Sequence, residues 1–183
     1  MNEGLIPNRY AKALYKYATE EGVAKEVYAE MQQLSKSYAN EPVLAPTVDN
    51  PFVALSDKEK VLLSASGATQ GGCFDKFILL VIKHNRENFM REIALSYEKI
   101  YREANKIALV DIITATKLSD EQIAKIMEVV KKQLQDKTLE TSVTVNPELL
   151  GGFIVKVDSM VLDTSIMNEL KKLRLKLLSN KER

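Results

Sequence analysis

The stretch "IALVDIITATKL", residues 107–118, decides what kind of molecule this is. Ile, Val and Thr are stiff at their first side-chain torsion and fit a pleated surface better than a helix, so this crowding of them predicts a strand. Everything before it reads as helix. In 9–21, Tyr10, Ala13, Leu14, Tyr17 and Ala18 fall at helical spacing after Pro7, and Gly22 suits a left-handed helix end. Val23, Val27, Met31, Leu34 and Tyr38 repeat at steps of three or four and predict a second helix. Pro42, Pro46 and Pro51 then leave room only for short helical turns. Ser56-Asp57-Lys58-Glu59 has the pattern of a capping box opening a helix through Ser64. After the turn residues Gly67, Gly71 and Gly72, Phe74, Phe77, Ile78, Val81 and Ile82 predict a broadly apolar helix ending near His84-Asn85. In 88–105, Phe89, Ile93, Tyr97, Ile100 and Tyr101 supply the last stripe.

On the far side of residue 118 the texture is mixed. Ser119-Asp120-Glu121-Gln122 is a second capping box, followed by the helical stripe Ile123, Ile126, Met127, Val130 and Leu134. Leu139, Thr141, Val143 and Val145 alternate with Glu140, Ser142, Thr144 and Asn146, the period-two pattern of a half-buried strand. Residues 152–157 and 161–162 predict a hairpin about Asp158-Ser159-Met160, and Asp163 or Ser165 can cap a final helix in which Ile166, Leu170, Leu173 and Leu177 share a core-facing side. The fold class is therefore α+β overall: an all-helical N-terminal part followed by a small α+β unit, with no internal repeat.

With 183 residues the chain can hold one substantial core or two small ones. Its 45% hydrophobic and 28% charged residues match a globular protein rather than a disordered one. No apolar run is long enough to span a bilayer, and the first residues lack the pattern of a secretory or transit signal, so the chain is expected to stay where it is made. A lone cysteine, Cys73, excludes an intramolecular disulfide and a cysteine-based zinc cluster. Net charge is +1, but 171–183 holds six Lys/Arg and one Glu, leaving the rest of the chain slightly acidic. That balance argues against broad nucleic-acid binding.

The candidate sites point to interaction rather than chemistry. Gly151-Gly152 opens a strand instead of a helix and has no Lys-Ser or Lys-Thr after it, so it reads as a sharp turn or close backbone approach, not a phosphate cradle. His84 is the sole histidine and lies where a helix end favours a cation, with no set of convergent ligands; no metal and no cofactor are implied. The carboxylates fall at helix ends or on solvated faces, and no Ser/His/Asp arrangement can be assembled. What remains is apolar surface. "RYAKALYKYA", 9–18, interleaves small alanines with tyrosines, and 74–82 has more apolar positions than one stripe needs. Both features also suit bundle core. The basic "KKLRLKLL", 171–178, suits a solvated face against an acidic partner, with a nucleic-acid or membrane contact as the alternative.

Two blocks resemble the delta subunit of F-type ATP synthase, the family of the mitochondrial oligomycin-sensitivity-conferring protein. They are Arg9-Tyr10-Ala11-Lys12-Ala13-Leu14 with Tyr17-Ala18, and "NPELLGGFIVKVDSMVLDTSIMNELKKLRLKL", 146–177. In the second block Leu150-Gly151-Gly152-Phe153, Asp163, Ser165, Leu170 and Leu173 occur together at the family's order and distance; Thr164 stands where the family commonly has glycine. The resemblance implies a six-helix N-terminal domain over 1–105 and an α+β C-terminal domain over 106–183. It implies a non-catalytic subunit on the cytoplasmic face of a bacterial inner membrane, held there only through the ATP synthase complex. Its partners would be the N-terminal helix of an alpha subunit, seated between the first and fifth helices, and the b-type peripheral-stalk subunits, met by the C-terminal domain; no nucleic acid is expected. Tyr10, Ala13, Leu14, Tyr17, Phe77, Leu80, Val81 and His84 are the residues expected to include the alpha-helix site. Gly151, Gly152, Asp163 and Ser165 are expected to be structural. The rival readings are a stand-alone helical adaptor and a nucleic-acid binder using the basic last helix.

Overall fold

A computed structural model describes residues 4–133, 137–157 and 160–180. It divides into two compact units, Met1–Ala104 and Asn105–Arg183.

The first unit contains six helices: α1 Leu5–Glu20, α2 Ala24–Asn40, α3 Leu44–Asp49, α4 Leu55–Ser66, α5 Cys73–Lys83 and α6 Met90–Ala104. Pro7 sits inside the first turn of α1, where its missing amide costs no helical hydrogen bond, so the helix starts four residues earlier than the spacing alone suggests. Gly22, at φ 75°, supplies the left-handed residue that ends it. Helix α6 packs on both α1 and α2, bringing the first and last helices of the unit together. Their seam is aromatic: Tyr15 meets Tyr97 and Tyr101 edge-on at 6.0 and 6.3 Å, and Tyr101 stacks on Tyr28 at 4.2 Å. Around it Leu14, Met31, Leu34, Ile78, Met90 and Ile93 are fully buried.

Helix α4 departs from the capping box expected at Ser56. The chain turns helical one residue earlier, at Leu55, with Ala54 as N-cap and its carbonyl accepting from the Asp57 and Lys58 amides. An N-cap must have non-helical torsions, and Ser56 already lies in the first turn. Lys58 on that turn faces inward and pairs with Glu87 at 2.6 Å, joining α4 to the short 3-10 turn Glu87–Phe89 that leads into α6.

The second unit is a four-stranded sheet in the order β2-β1-β3-β4, built from β1 Ile107–Thr114, β2 Thr138–Val145, β3 Phe153–Val157 and β4 Met160–Asp163. Strand β1 pairs parallel with β2, their connection running through α7 Asp120–Gln133, and antiparallel with β3. Alternate β1 residues Ala108, Val110 and Ile112 are buried and form a core with Val155 and Val157, against which Ile123, Ile126, Met127 and Val130 of α7 pack. The Ser119 capping box forms in both directions: the Ser119 amide donates to Gln122 Oε1 at 3.0 Å and the Gln122 amide donates to Ser119 Oγ at 3.4 Å. As an edge strand, β2 is less covered than its alternation predicts; Leu139 packs against the buried cluster, while Val143 and Val145 stay exposed.

The double glycine makes the close approach that its reading predicts. Gly152 has φ +77°, and a β-carbon on it would lie 2.3 Å from the Thr164 carbonyl oxygen; one on Gly151 would lie 2.5 Å from Ile166 Cδ1. This contact seats the start of α8, Ile166–Asn180. The Ile166 amide donates to the Gly151 carbonyl at 3.1 Å, and Ser165 Oγ caps the helix by accepting from the Asn168 amide at 3.3 Å. Asp163 in turn accepts from the Ser165 hydroxyl at 2.6 Å and amide at 2.9 Å, which holds its carboxyl below the usual carboxylate range.

One expectation fails in this unit. Ile166, Leu170 and Leu173 do not face a core; they are 47, 54 and 55% exposed, and Met160, Val161 and Leu162 are equally open. Helix α7 already covers the apolar face of the sheet, so α8 keeps its stripe in solvent. The Asp158-Ser159 turn, Leu134, the Leu177 side chain and the terminal residues 181–183 lie outside the described residues.

Candidate functional site

Helix α1 has two apolar faces. Pro7, Ala11, Leu14 and Ala18 point into the bundle, and the adjoining row Ile6, Tyr10, Ala13 and Tyr17 borders a groove of about 770 Å³. Both rows step by three or four residues, as neighbouring stripes on one helix must. Helix α5 supplies Lys76, Phe77 and Leu80 to the same groove, the turn after it supplies Arg86, and α1 adds Arg9 and Leu14. Tyr10 and Phe77 meet edge-on across it with ring centroids 6.3 Å apart. Phe77 and Leu14, 6 and 2% exposed, form its floor, while Tyr17 and Leu80, 37 and 46% exposed, stand open to solvent. Ala13 is exposed and too small to fill the space between them.

Six of the eight expected residues are thus brought together: Tyr10, Ala13, Leu14, Tyr17, Phe77 and Leu80. Val81 is fully buried in the bundle. His84 is the exposed C-cap of α5, its amide donating to the Leu80 and Val81 carbonyls at 3.3 and 3.2 Å. Sequence reasoning missed Ile6, Arg9, Lys76 and Arg86. Ile6 lies four residues before Tyr10 and would have joined the stripe had the helix been started ahead of Pro7. Arg86 is placed by a post-helical turn, its amide reaching back to the Val81 carbonyl at 3.1 Å, and spacing carries no such information.

Electrostatically the groove is one-sided. Among the described residues three cations, Arg9, Lys76 and Arg86, line it with no carboxylate, and none of the three is held in an ion pair. Behind it, burial first and the neighbouring Cys73, Tyr15, Tyr101 and Glu30 after it push the Tyr97 phenol far above its usual range, so Tyr97 stays neutral and donates its hydrogen bond to the Ala24 carbonyl at 3.2 Å. Among the described residues no group of three His, Cys, Asp or Glu is placed to hold a metal ion. The geometry offers an apolar trough with a positive rim, which suits holding a helix.

Comparison with known proteins places this architecture. Residues 6–177 match the family described as ATP synthase delta (OSCP) subunit. The chain is similar to ATP synthase subunit delta of Parabacteroides distasonis, 36% identical with 99% of this chain and 100% of that protein aligned. It is 31% identical to the corresponding protein of Bacteroides thetaiotaomicron over 100% of this chain and 99% of that one, and 30% identical to that of Gloeobacter violaceus over 94% of each. Its fold is similar to that of a chain in the cryo-EM structure of the Toxoplasma gondii mitochondrial ATP synthase hexamer, with TM-score 0.71 and 18% identity, covering 94% of this chain and 97% of that one. With both of its units inside these matches, the chain belongs to the ATP synthase delta (OSCP) subunit family, a structural and not a catalytic subunit of that complex.

Proposed function

We propose that this protein links the catalytic alpha/beta head of an F-type ATP synthase to the b-type subunits of the peripheral stalk, so that the head is held still while the rotor turns. The observation that carries this is the α1/α5 groove, whose floor of Leu14 and Phe77 and open walls of Tyr17 and Leu80 match one apolar face of a helix. Its occupant is the N-terminal helix of an alpha subunit. The second grip is the C-terminal unit with its uncovered apolar residues, Ile166, Leu170 and Leu173 on α8 and Met160, Val161 and Leu162 on β4, which takes the C-terminal ends of the b-type subunits. Two contacts on one chain make the second effectively intramolecular, so contacts that are modest singly hold firmly together. The subunit works at the cytoplasmic face of the bacterial membrane and reaches it through its partners; no helix among the described residues is long and apolar enough to cross a membrane.

Titration calorimetry with a peptide of the alpha N-terminus tests the groove. In Ala13→Asp and Leu80→Asp an occupant would bury an unpaired carboxylate, and affinity should fall roughly 100-fold or more. Both positions are exposed in the free protein, so helical circular dichroism and melting should stay as in the wild type. Undiminished affinity in both variants would overturn the placement.

A further inference from the structure

We propose that the groove selects its occupant by charge as well as by shape: the segment it holds is an acidic amphipathic helix, whose carboxylates flank the apolar anchors and pair with Arg9, Lys76 and Arg86. This inference rests on the helix-in-groove reading and adds to it a chemical identity for the polar face of the partner. Three observations support it. The lining combines cations from three separate pieces of chain, namely α1, α5 and the turn after α5, and among the described residues no carboxylate joins them there. Among the described residues all three cations are without an ion-pair partner, although other exposed cations of this unit, Lys16, Lys60 and Lys99, each sit beside a carboxylate one helical turn away. Finally, the apolar floor narrows the choice of ligand, because Tyr10, Leu14 and Phe77 would leave a purely hydrophilic anion without cover for its backbone. A trough of low-dielectric walls with a rim of one sign concentrates field lines along its length, so the rim speeds encounter and rejects basic helices that the floor alone would accept.

The test is calorimetry on the full chain, with a synthetic peptide of the alpha N-terminus as probe and a second peptide in which its Asp and Glu are replaced by Asn and Gln. For the native peptide, affinity should fall about tenfold or more as salt is raised from about 50 to about 500 mM, because exposed charge pairs are screened over that range. The triple variant Arg9→Gln, Lys76→Gln, Arg86→Gln should bind about tenfold more weakly at low salt and lose the salt dependence; all three sites are exposed, so its melting should be unchanged. The neutral peptide should bind wild type and triple variant alike. A rescue adds a readout of direct pairing: Arg86→Glu should discriminate against the native peptide and favour one whose carboxylates are replaced by Lys. Salt-independent binding that the triple variant leaves intact, but Ala13→Asp abolishes, would overturn the charge selection and leave the groove reading standing. Absence of binding by wild type at any salt, or binding indifferent to Ala13→Asp, would remove both.

Discussion

A side chain at Gly152 has nowhere to go. Its φ of +77° is costly for any L-residue, and the atom a β-carbon would meet is a backbone oxygen, Thr164 O, which cannot move without shifting the start of α8. Gly152→Ala should therefore destabilise the second unit by roughly 2–4 kcal/mol. Gly151→Ala meets only the tip of the half-exposed Ile166 side chain, which can change rotamer, and should cost about 1 kcal/mol. Urea unfolding of the two variants checks the ranking, and equal losses would contradict it. The need for glycine was legible from the sequence, because a double glycine opening a strand with no phosphate-loop sequel leaves only backbone reasons. The obstacle itself was not, since Thr164 is brought there by the fold. Asp163 adds a pH signature. Its carboxyl is held low by Ser165, so its contribution is present above the unfolded value near about 3.9 and is lost as pH falls through the lower folded value. Asp163→Ala should be less stable than wild type at neutral pH, the gap closing in acid.

Among the elements, α4 shows where local signals lose to tertiary ones. Its capping box was written in the sequence but is not used, whereas the identical logic at Ser119 holds in full. The turn that replaces it carries the inward Lys58, whose ammonium pairs with Glu87 of a distant turn, a pairing no local pattern encodes. Lys58→Ala would strand the Glu87 carboxylate in a largely buried place, and one of its oxygens already has no donor. The expected loss is about 3–5 kcal/mol, against much less for Lys58→Met combined with Glu87→Leu. Denaturant midpoints of the single and double variants decide this. Nearby, burial raises the Asp49 carboxyl, and Glu87 and Glu92 add to it against the opposing pull of Lys58. A raised carboxylate disfavours the charged fold, so stability is lost as pH climbs through its folded value. Because Asp49 is itself exposed, solvent screens most of this, and Asp49→Asn should melt only slightly higher than wild type at pH 7, the difference vanishing once pH is low enough to protonate the wild-type carboxyl. Helix α8 is the opposite case, a stripe with core spacing that the fold leaves bare, because periodicity records that a face is apolar and not what covers it.

On the scale of the whole molecule, each unit has its own buried cluster, one around Tyr97 and one around Val110 and Ile112. We expect calorimetry to resolve two melting transitions, with Gly152→Ala lowering one and leaving the other, and the groove's peptide affinity, unchanged; a single transition displaced as a whole would contradict this. The change from helix to strand at Ile107 was readable because β-branched density is a local property. The groove was half readable: its apolar residues follow from helical period, but the cationic rim depends on where a turn places Arg86. The pairing of α1 with α6 carries a mechanical consequence. A tug on whatever sits beside Tyr10 is handed within the first unit across the rings of Tyr15, Tyr97 and Tyr101 to α6. Tyr15 is the α1 ring in that seam, and trimming it to alanine should loosen the grip of α1 on α6.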